Sequence, residues 1–401
     1  MKCQMVMRQR PANGSDVQCF GREKAQQVQS FHRSFPGYAP TPLAELPQTA
    51  AALGLGGFYV KDESRRFGLN AFKVLGGSYA IGSYIAERLG LDMAELSFTQ
   101  MTGTALRQRL GELTFVTATD GNHGRGIAWT ANRLQQKSVV YMPQGSAPER
   151  LENIRRLGAD ASILPVPYDD AVRHAKAQAA ANGWVLVQDT DGPDYTKIPA
   201  WIMQGYTTMA WEAFQQLQGR RPTHIFLQAG VGSMAGAVTA FFADVYGDGP
   251  DAPRIIIVEP EHADCIFRTA AASDGQLHFA AGPMKTIMAG LACGEPCGMA
   301  WSLLRDHADA FVSMPDEVSA LGMRLLGNPL PGDDRVISGE SGAAGAGLAA
   351  ALMRCPELAG LKEKLGLNEQ SQVLCFSTEG ATDRENYRRV VWDGAWSIAG
   401  N

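Results

Sequence analysis

The chain has 401 residues, 45% of them hydrophobic and 19% charged, and a formal net charge of −5. That length predicts two or three units of about 100–200 residues each, and the composition excludes a disordered chain. The charge is small and no block of like charge stands out, which speaks against a nucleic-acid partner. No apolar run reaches the roughly 18 residues of a membrane span. The opening MKCQMVMRQRPANGSD has no apolar stretch, so no signal peptide is expected. Cys3, Cys19, Cys265, Cys293, Cys297, Cys355 and Cys375 form no CxxC pair. That argues against zinc and fits a cytoplasmic enzyme with mostly reduced thiols.

The first forty residues read as polar and irregular, up to Pro40–Leu43. FYVKDES reads as a strand ending in charge. From Ala71 to Gly90 apolar residues recur at helical spacing and the pattern stops on a glycine. Residues 91–112 are weakly periodic and read as an excursion of short helices. Strands and helices then alternate. LTFVTAT, SVVYMP, ASILPV and WVLVQDT are strands, and GRGIAWTANRLQQ, SAPERLENIRRLG and DDAVRHAKAQAAANG are helices. The rhythm predicts βαβ units on a parallel sheet. A long helix, IPAWIMQGYTTMAWEAFQQLQ, follows. After it come the strand THIFLQAG, a glycine loop, the helix SMAGAVTAFFADVYG, the strand RIIIVEP and a late strand VLCFSTEG. The expected fold class is α/β with two domains, each built on a mostly parallel sheet flanked by helices. Residues 66–199 form the small domain; 1–65 and 200–401 form the large one.

Ligands of open α/β sheets lie beyond the carboxyl ends of strands. Those ends carry Thr119-Asp120-Gly121-Asn122-His123, Gln188-Asp189-Thr190, Ala229 to Gly232 and Ser377-Thr378-Glu379-Gly380. In the glycine loop, Gly230, Val231, Gly232, Ser233 and Met234 join a strand to a helix. Glycines let a backbone approach an anion, and a helix N-terminus presents N–H groups to it, so the expected ligand is a phosphate. The spacing is not GxGxxG, because the third glycine, Gly236, comes one residue late. A dinucleotide reading survives through Glu259, at the end of the next strand, and a plain strand-to-helix turn is the structural alternative. Lys73 opens an apolar helix, where a lysine is a candidate for Schiff-base chemistry; a surface lysine lying along an apolar face has the same pattern. Asp120-Gly121-Asn122-His123-Gly124 could likewise be an ordinary helix cap.

The order of these features decides between the readings. Lysine, GNHG turn, glycine loop and Ser/Thr-Gly strand end resemble the tryptophan synthase β-type (fold type II) pyridoxal-phosphate enzymes. Within them the chain is most similar to the diaminopropionate ammonia-lyases. KDESRRFGLNAFKVLGGSYA, TDGNHGRGIAW, YTKIPAWIMQGY, IIIVEPEHADC, IMAGLACGEP and ISGESGA carry the likeness. The resemblance implies pyridoxal 5′-phosphate in the cleft between the domains, with the small domain closing over the substrate. It implies Lys73 as the Schiff-base lysine, Asn122 on the ring hydroxyl and Gly230 to Met234 on the phosphate. Ser377 or Thr378 would face the pyridine nitrogen, and Glu340 would lie near the ring. The implied reaction takes 2,3-diaminopropionate of either hand to pyruvate and two ammonia. The implied assembly is a homodimer.

Two departures bear on specificity. Serine and threonine dehydratases have a small uncharged residue where this chain has Asp120, and Asp191-Gly192-Pro193-Asp194 replaces a stretch that is usually apolar and aromatic. An unpaired carboxylate in a partly buried site is costly. Asp120 and Asp189 therefore argue for a cationic substrate, or for one of the two being protonated, with their proton affinities pushed apart into one acid and one base. Lys73, Asp120 and Asp189 are the expected catalytic groups, with Lys73 and Asp120 approaching Cα from opposite faces. A serine/threonine dehydratase of the same fold is the alternative, and a nicotinamide oxidoreductase or a non-catalytic cofactor-binding protein stand further off. Cys265 and Cys293 flank a loop-rich segment and are candidates to bridge on oxidation.

Overall fold

The computed structural model describes residues 2–11, 13–119, 121–247, 249 and 251–397. The strands are β1 (Gln4–Met7), β2 (Leu43–Glu45), β3 (Gly57–Asp62), β4 (Thr114–Ala118), β5 (Lys137–Met142), β6 (Asp160–Ile163), β7 (Val185–Leu186), β8 (His224–Gln228), β9 (Arg254–Pro260), β10 (Ala310–Met314) and β11 (Gln372–Ser377). Seven form one sheet in the order β1-β10-β9-β8-β11-β3-β2. Its edges β1 and β2 run antiparallel to their neighbours, and the five strands between are parallel. The other four form a wholly parallel sheet, β6-β5-β4-β7. Every residue of β3, β8 and β10 is buried. Burial along the whole strand is what a parallel sheet covered on both faces requires.

Each sheet has one place where the strand order reverses. From β8 the chain proceeds outward to β9 and β10, while β11 and β3 lie on its other side; from β4 it proceeds to β5 and β6, while β7 lies on the other. Loops leaving the carboxyl ends of such neighbours diverge and leave a crevice between them. The loops after β4 and β7 and those after β8 and β11 converge on one cavity.

The expected helix from Ala71 starts instead at Val74 and runs to Leu89, with Gly90 left-handed after it. The Phe72 N–H donates to the Thr378 carbonyl at 3.1 Å, and Ala71 bridges to Glu379. Residues 71 and 72 are thus held as an extended link to the end of β11, and Lys73 takes the N-cap position. The helix packs tightly on its neighbours: a Cβ on Gly76 would come within 2.6 Å of Tyr206, and one on Gly126 within 2.8 Å of Val74.

The N-terminal segment corrects its irregular reading. It contains β1 and the helix Arg22–Arg33, which buries Ala25, Val28, Phe31 and His32. The stripe is narrow and set among glutamines and charges, so average polarity conceals it.

Just upstream of Lys73 lies a buried ion network. Lys61 Nζ donates to Glu212 Oε2 at 2.7 Å. Arg66 donates to both oxygens of Glu63 and both oxygens of Glu212 at 2.8–2.9 Å. All four side chains are at most 1% exposed. Burial raises the Glu212 carboxyl, but Arg66 and Lys61 outweigh it and hold it at about 2. The network joins β3, the turn after it and the helix Lys197–Gln216. Removing one carboxylate leaves a buried cation without its partner, so Glu212→Ala should cost ~3–5 kcal/mol of unfolding free energy. Urea denaturation measures it; a loss below ~1 kcal/mol would mean the network behaves like exposed ion pairs.

Candidate active site

The cavity lies beyond the carboxyl ends of strands in both sheets, where open α/β folds bind their ligands. Phe72 and Lys73 lie on one wall, and Thr119, Asn122, His123 and Asp189 come from the smaller sheet. The larger sheet contributes Gln228 to Ala235, Ser341, Thr378 and Glu379; residues 289–293 and Tyr168 complete the lining.

Lys73 Nζ lies 2.5 Å from Asp189 Oδ2. Asp189 is 3% exposed. Burial alone would raise its carboxyl, but the Lys73 charge, His123 nearby and the hydrogen bond from Lys73 hold it at about 2. At neutral pH it is a carboxylate. The Asp189 carbonyl accepts from the Ser233 hydroxyl at 2.6 Å, which ties this segment to the glycine loop.

The glycine loop has the properties an anion needs. Gly230 to Ala235 all line the cavity. Gly232 has φ +96°, a conformation that favours glycine. The helix Ser233–Tyr246 begins without a side-chain cap, so its first N–H groups are left for a ligand. A Cβ on Gly230 would crowd Cys293 Sγ at 3.1 Å and the Gly290 carbonyl at 3.3 Å. Cys265 also faces this loop, with Sγ 3.7 Å from the Gly230 carbonyl; Cys265 and Cys293 are thiols, not a disulfide. These residues fit a phosphate-bearing cofactor, with a lysine amine in the same cavity.

Asn122 donates to Glu379 Oε2 at 2.6 Å, and the Ser341 N–H donates to Glu379 Oε1 at 3.2 Å. Thr378 lines the cavity, and its hydroxyl accepts from Gln228 Nε2 at 2.9 Å. The Ser377 hydroxyl bonds Ser338 Oγ at 2.8 Å and does not line the cavity. Of the two hydroxyls left open by the sequence, only Thr378 reaches the cavity. Glu340 does not line it either; Asn386 donates to Glu340 Oε1 at 2.5 Å. Asp120 lies outside the described residues. The structure therefore gathers Lys73, Asp189, Asn122, Gly230 to Met234 and Thr378 around one cavity.

Glu259, the residue that kept a dinucleotide possible, is fully buried. It accepts from the Ile266 and Phe267 N–H groups at 2.9 and 2.6 Å, capping the helix Cys265–Ala272. It is committed to that helix, not available to a ribose. Sequence reasoning passed over Glu379, Gln228 and Tyr168 as site residues. A glutamate directly after an apolar strand was the one signal for Glu379.

Burial and the Glu379 charge push the Glu340 carboxyl up to about 7. An acid whose folded value is raised favours the folded state below its unfolded value near 4.5, and that advantage is lost as pH rises through about 7. Glu340→Gln keeps the acceptor for Asn386 and removes the titration. The variant should lose the wild-type decline in stability between these two values and be more stable above them, by up to ~3 kcal/mol. Thermal unfolding at a series of pH values checks this; parallel curves for the two proteins would count against it.

Residues 34–371 match the model of the family described as "Pyridoxal-phosphate dependent enzyme". The chain is 50% identical over 390 residues to the diaminopropionate ammonia-lyase of Escherichia coli (strain K12), covering 96% of each chain. It is 47% identical over 391 residues to that of Salmonella typhimurium (strain LT2), again covering 96% of each. A crystal structure of the Escherichia coli diaminopropionate ammonia lyase, in complex with an aminoacrylate-PLP azomethine reaction intermediate, superposes with a TM-score of 0.91 at 47% identity. The match covers 99% of both chains.

Proposed function

The chain belongs to the pyridoxal-phosphate-dependent enzymes and, within them, to the diaminopropionate ammonia-lyases, and from that premise we infer that it converts 2,3-diaminopropionate and water to pyruvate and two ammonia. The observation that carries the substrate class is the buried Asp189 carboxylate beside Lys73. A substrate with a second ammonium on Cβ gives such a carboxylate a cation to meet; a hydroxylated substrate does not.

Pyridoxal 5′-phosphate, carried on Lys73, supplies the sink for the charge that develops at Cα. The chain's own groups do the rest. The glycine loop would hold the phosphate, Asn122 would bond the ring hydroxyl and Thr378 would meet the pyridine nitrogen. Lys73 Nζ, once released, moves the proton at Cα. Asp189 holds the β-ammonium. Asp120 serves as the base for the D isomer. Residues 66–199 act as the closing domain over 1–65 and 200–401, in a cytoplasmic homodimer. Among the described residues no helix is long and apolar enough to cross a membrane.

Lys73→Ala should abolish the visible absorbance of covalently held cofactor and nearly all pyruvate release. Asp189→Asn should lower kcat/KM for both isomers, and Asp120→Asn chiefly for the D isomer, by roughly 10²–10⁴ each. Pyruvate release from D- and L-diaminopropionate measures both. The same assay with D-serine and L-threonine tests the dehydratase alternative, which a higher kcat/KM on either hydroxy amino acid would favour.

A further inference from the structure

We propose that Asp191 is a positioning residue: by capping a helix of the larger sheet's layer, it fixes Asp189 against Lys73. Asp191 lies in the four-residue stretch where this chain departs from the family pattern, and nothing in the proposed chemistry uses it.

The segment from Gln188 to Tyr195 is held at both ends. The Tyr195 hydroxyl accepts from the Gln188 N–H and donates to the Leu186 carbonyl, both at 2.9 Å. Gly192 and Tyr195 exchange backbone hydrogen bonds at 3.0 and 3.1 Å. The outer end of this closed turn is Asp191. Its two carboxylate oxygens accept from consecutive backbone N–H groups, Gly298 at 2.7 Å and Met299 at 2.9 Å. These begin the helix Gly298–His307, whose own N-cap residue, Cys297, supplies no side-chain cap. A cap of this kind is normally local in sequence; here it comes from 107 residues away.

The helix so capped is tied back to the glycine loop, because the Cys297 N–H donates to the Val231 carbonyl at 2.8 Å. The same loop holds the Asp189 carbonyl through Ser233. Asp189 therefore sits between two anchors on one rigid body: Ser233 at its own carbonyl, and Asp191 two residues on. Without Asp191 the turn keeps its internal bonds and pivots on Ser233 alone. A displacement near 1 Å is enough to cost on the order of 10² in rate.

The inference rests on the proposed pairing of Asp189 with Lys73, and its test has a readout that needs no turnover. A carboxylate next to the nitrogen that joins Lys73 to the cofactor favours the protonated form and raises its titration midpoint. The groups facing Asp189 include Lys73, His123, Tyr195 and Tyr206, and all are unchanged in the variants. Absorbance titration of the holoenzyme should show the midpoint lowered by ~1 pH unit in Asp191→Ala, and by less in Asp191→Asn, which keeps one acceptor oxygen. Over the same variants kcat/KM for diaminopropionate should fall by ~10-fold to 10²-fold, with partial recovery in Asp191→Asn. A role confined to helix stability would lower the melting temperature and leave the midpoint where it is. An unchanged midpoint in Asp191→Ala overturns the inference, as it does in Asp191→Asn should the alanine variant not fold. Wild-type enzyme that releases no pyruvate from diaminopropionate would instead refute the functional reading and leave the titration to decide the role of Asp191.

Discussion

The contact between Lys73 and Asp189 exists only because two separate sheets present their carboxyl ends to each other. Lys73 is fixed to the end of β11 through Phe72 and Thr378, and Asp189 follows β7 of the smaller sheet. Asp189 is buried and its charge needs the partner, while Lys73 keeps part of its side chain in contact with solvent. Breaking one partner out of such a pair costs several kcal/mol, while the attraction at an effective dielectric of about 20 is some 4 kcal/mol at 4 Å. The pair therefore orders the cleft as well as the chemistry.

Acidic residues are numerous around this cleft, and the fold gives each a different partner. Glu259 and Asp191 accept from backbone N–H groups at helix starts. Glu212 is neutralised by Lys61 and Arg66. Glu379 takes Asn122 and the Ser341 N–H. Burial and Glu379 raise the Glu340 carboxyl to about 7, which keeps much of the charge off it near neutral pH. Asp189 is the one among these whose hydrogen-bonded partner is the cavity lysine. On the proposed reading, a cationic substrate would meet the directed charge of Asp189.

The sequence made the alternating core legible because its strands carry apolar runs, as in IFL of β8, followed by Ala229-Gly230, and IIIV of β9. It made Lys73 legible only through the order of lysine, GNHG turn and glycine loop, because a lysine in AFKVLGG taken alone reads equally as a surface residue lying along an apolar face. It hid the helix Arg22–Arg33, whose buried stripe is diluted by glutamines. It also hid that β7 is only two residues long, since Trp184 to Val187 are all apolar while only Val185 and Leu186 pair. Glu379 and Asp191 were present in the quoted motifs, but their roles depend on contacts with Asn122 and Gly298, far away in the chain. Local pattern carries no information about such contacts. The choice between Ser377 and Thr378 was equally closed to it, because adjacent strand residues point to opposite faces and only the fold says which face is the cavity.

That last choice has a chemical consequence. Gln228 Nε2 has two hydrogens; one goes to the Phe376 carbonyl at 2.8 Å and the other to Thr378 Oγ1 at 2.9 Å. Turning the amide over would set its oxygen against the Phe376 carbonyl, so the orientation is fixed even though Gln228 Oε1 has no partner among the described residues. The Thr378 oxygen accepts from Gln228, and its own proton is free to donate. A ring nitrogen placed against it, as proposed, would accept that bond in its unprotonated form, and the uncharged hydroxyl would do little to draw a proton onto it. A carboxylate in that position would draw a proton onto the ring and strengthen the electron sink. A neutral ring would be the weaker sink, which would suit elimination over transamination. On the proposed placement, Gln228 would bear on the reaction through Thr378 without touching the substrate.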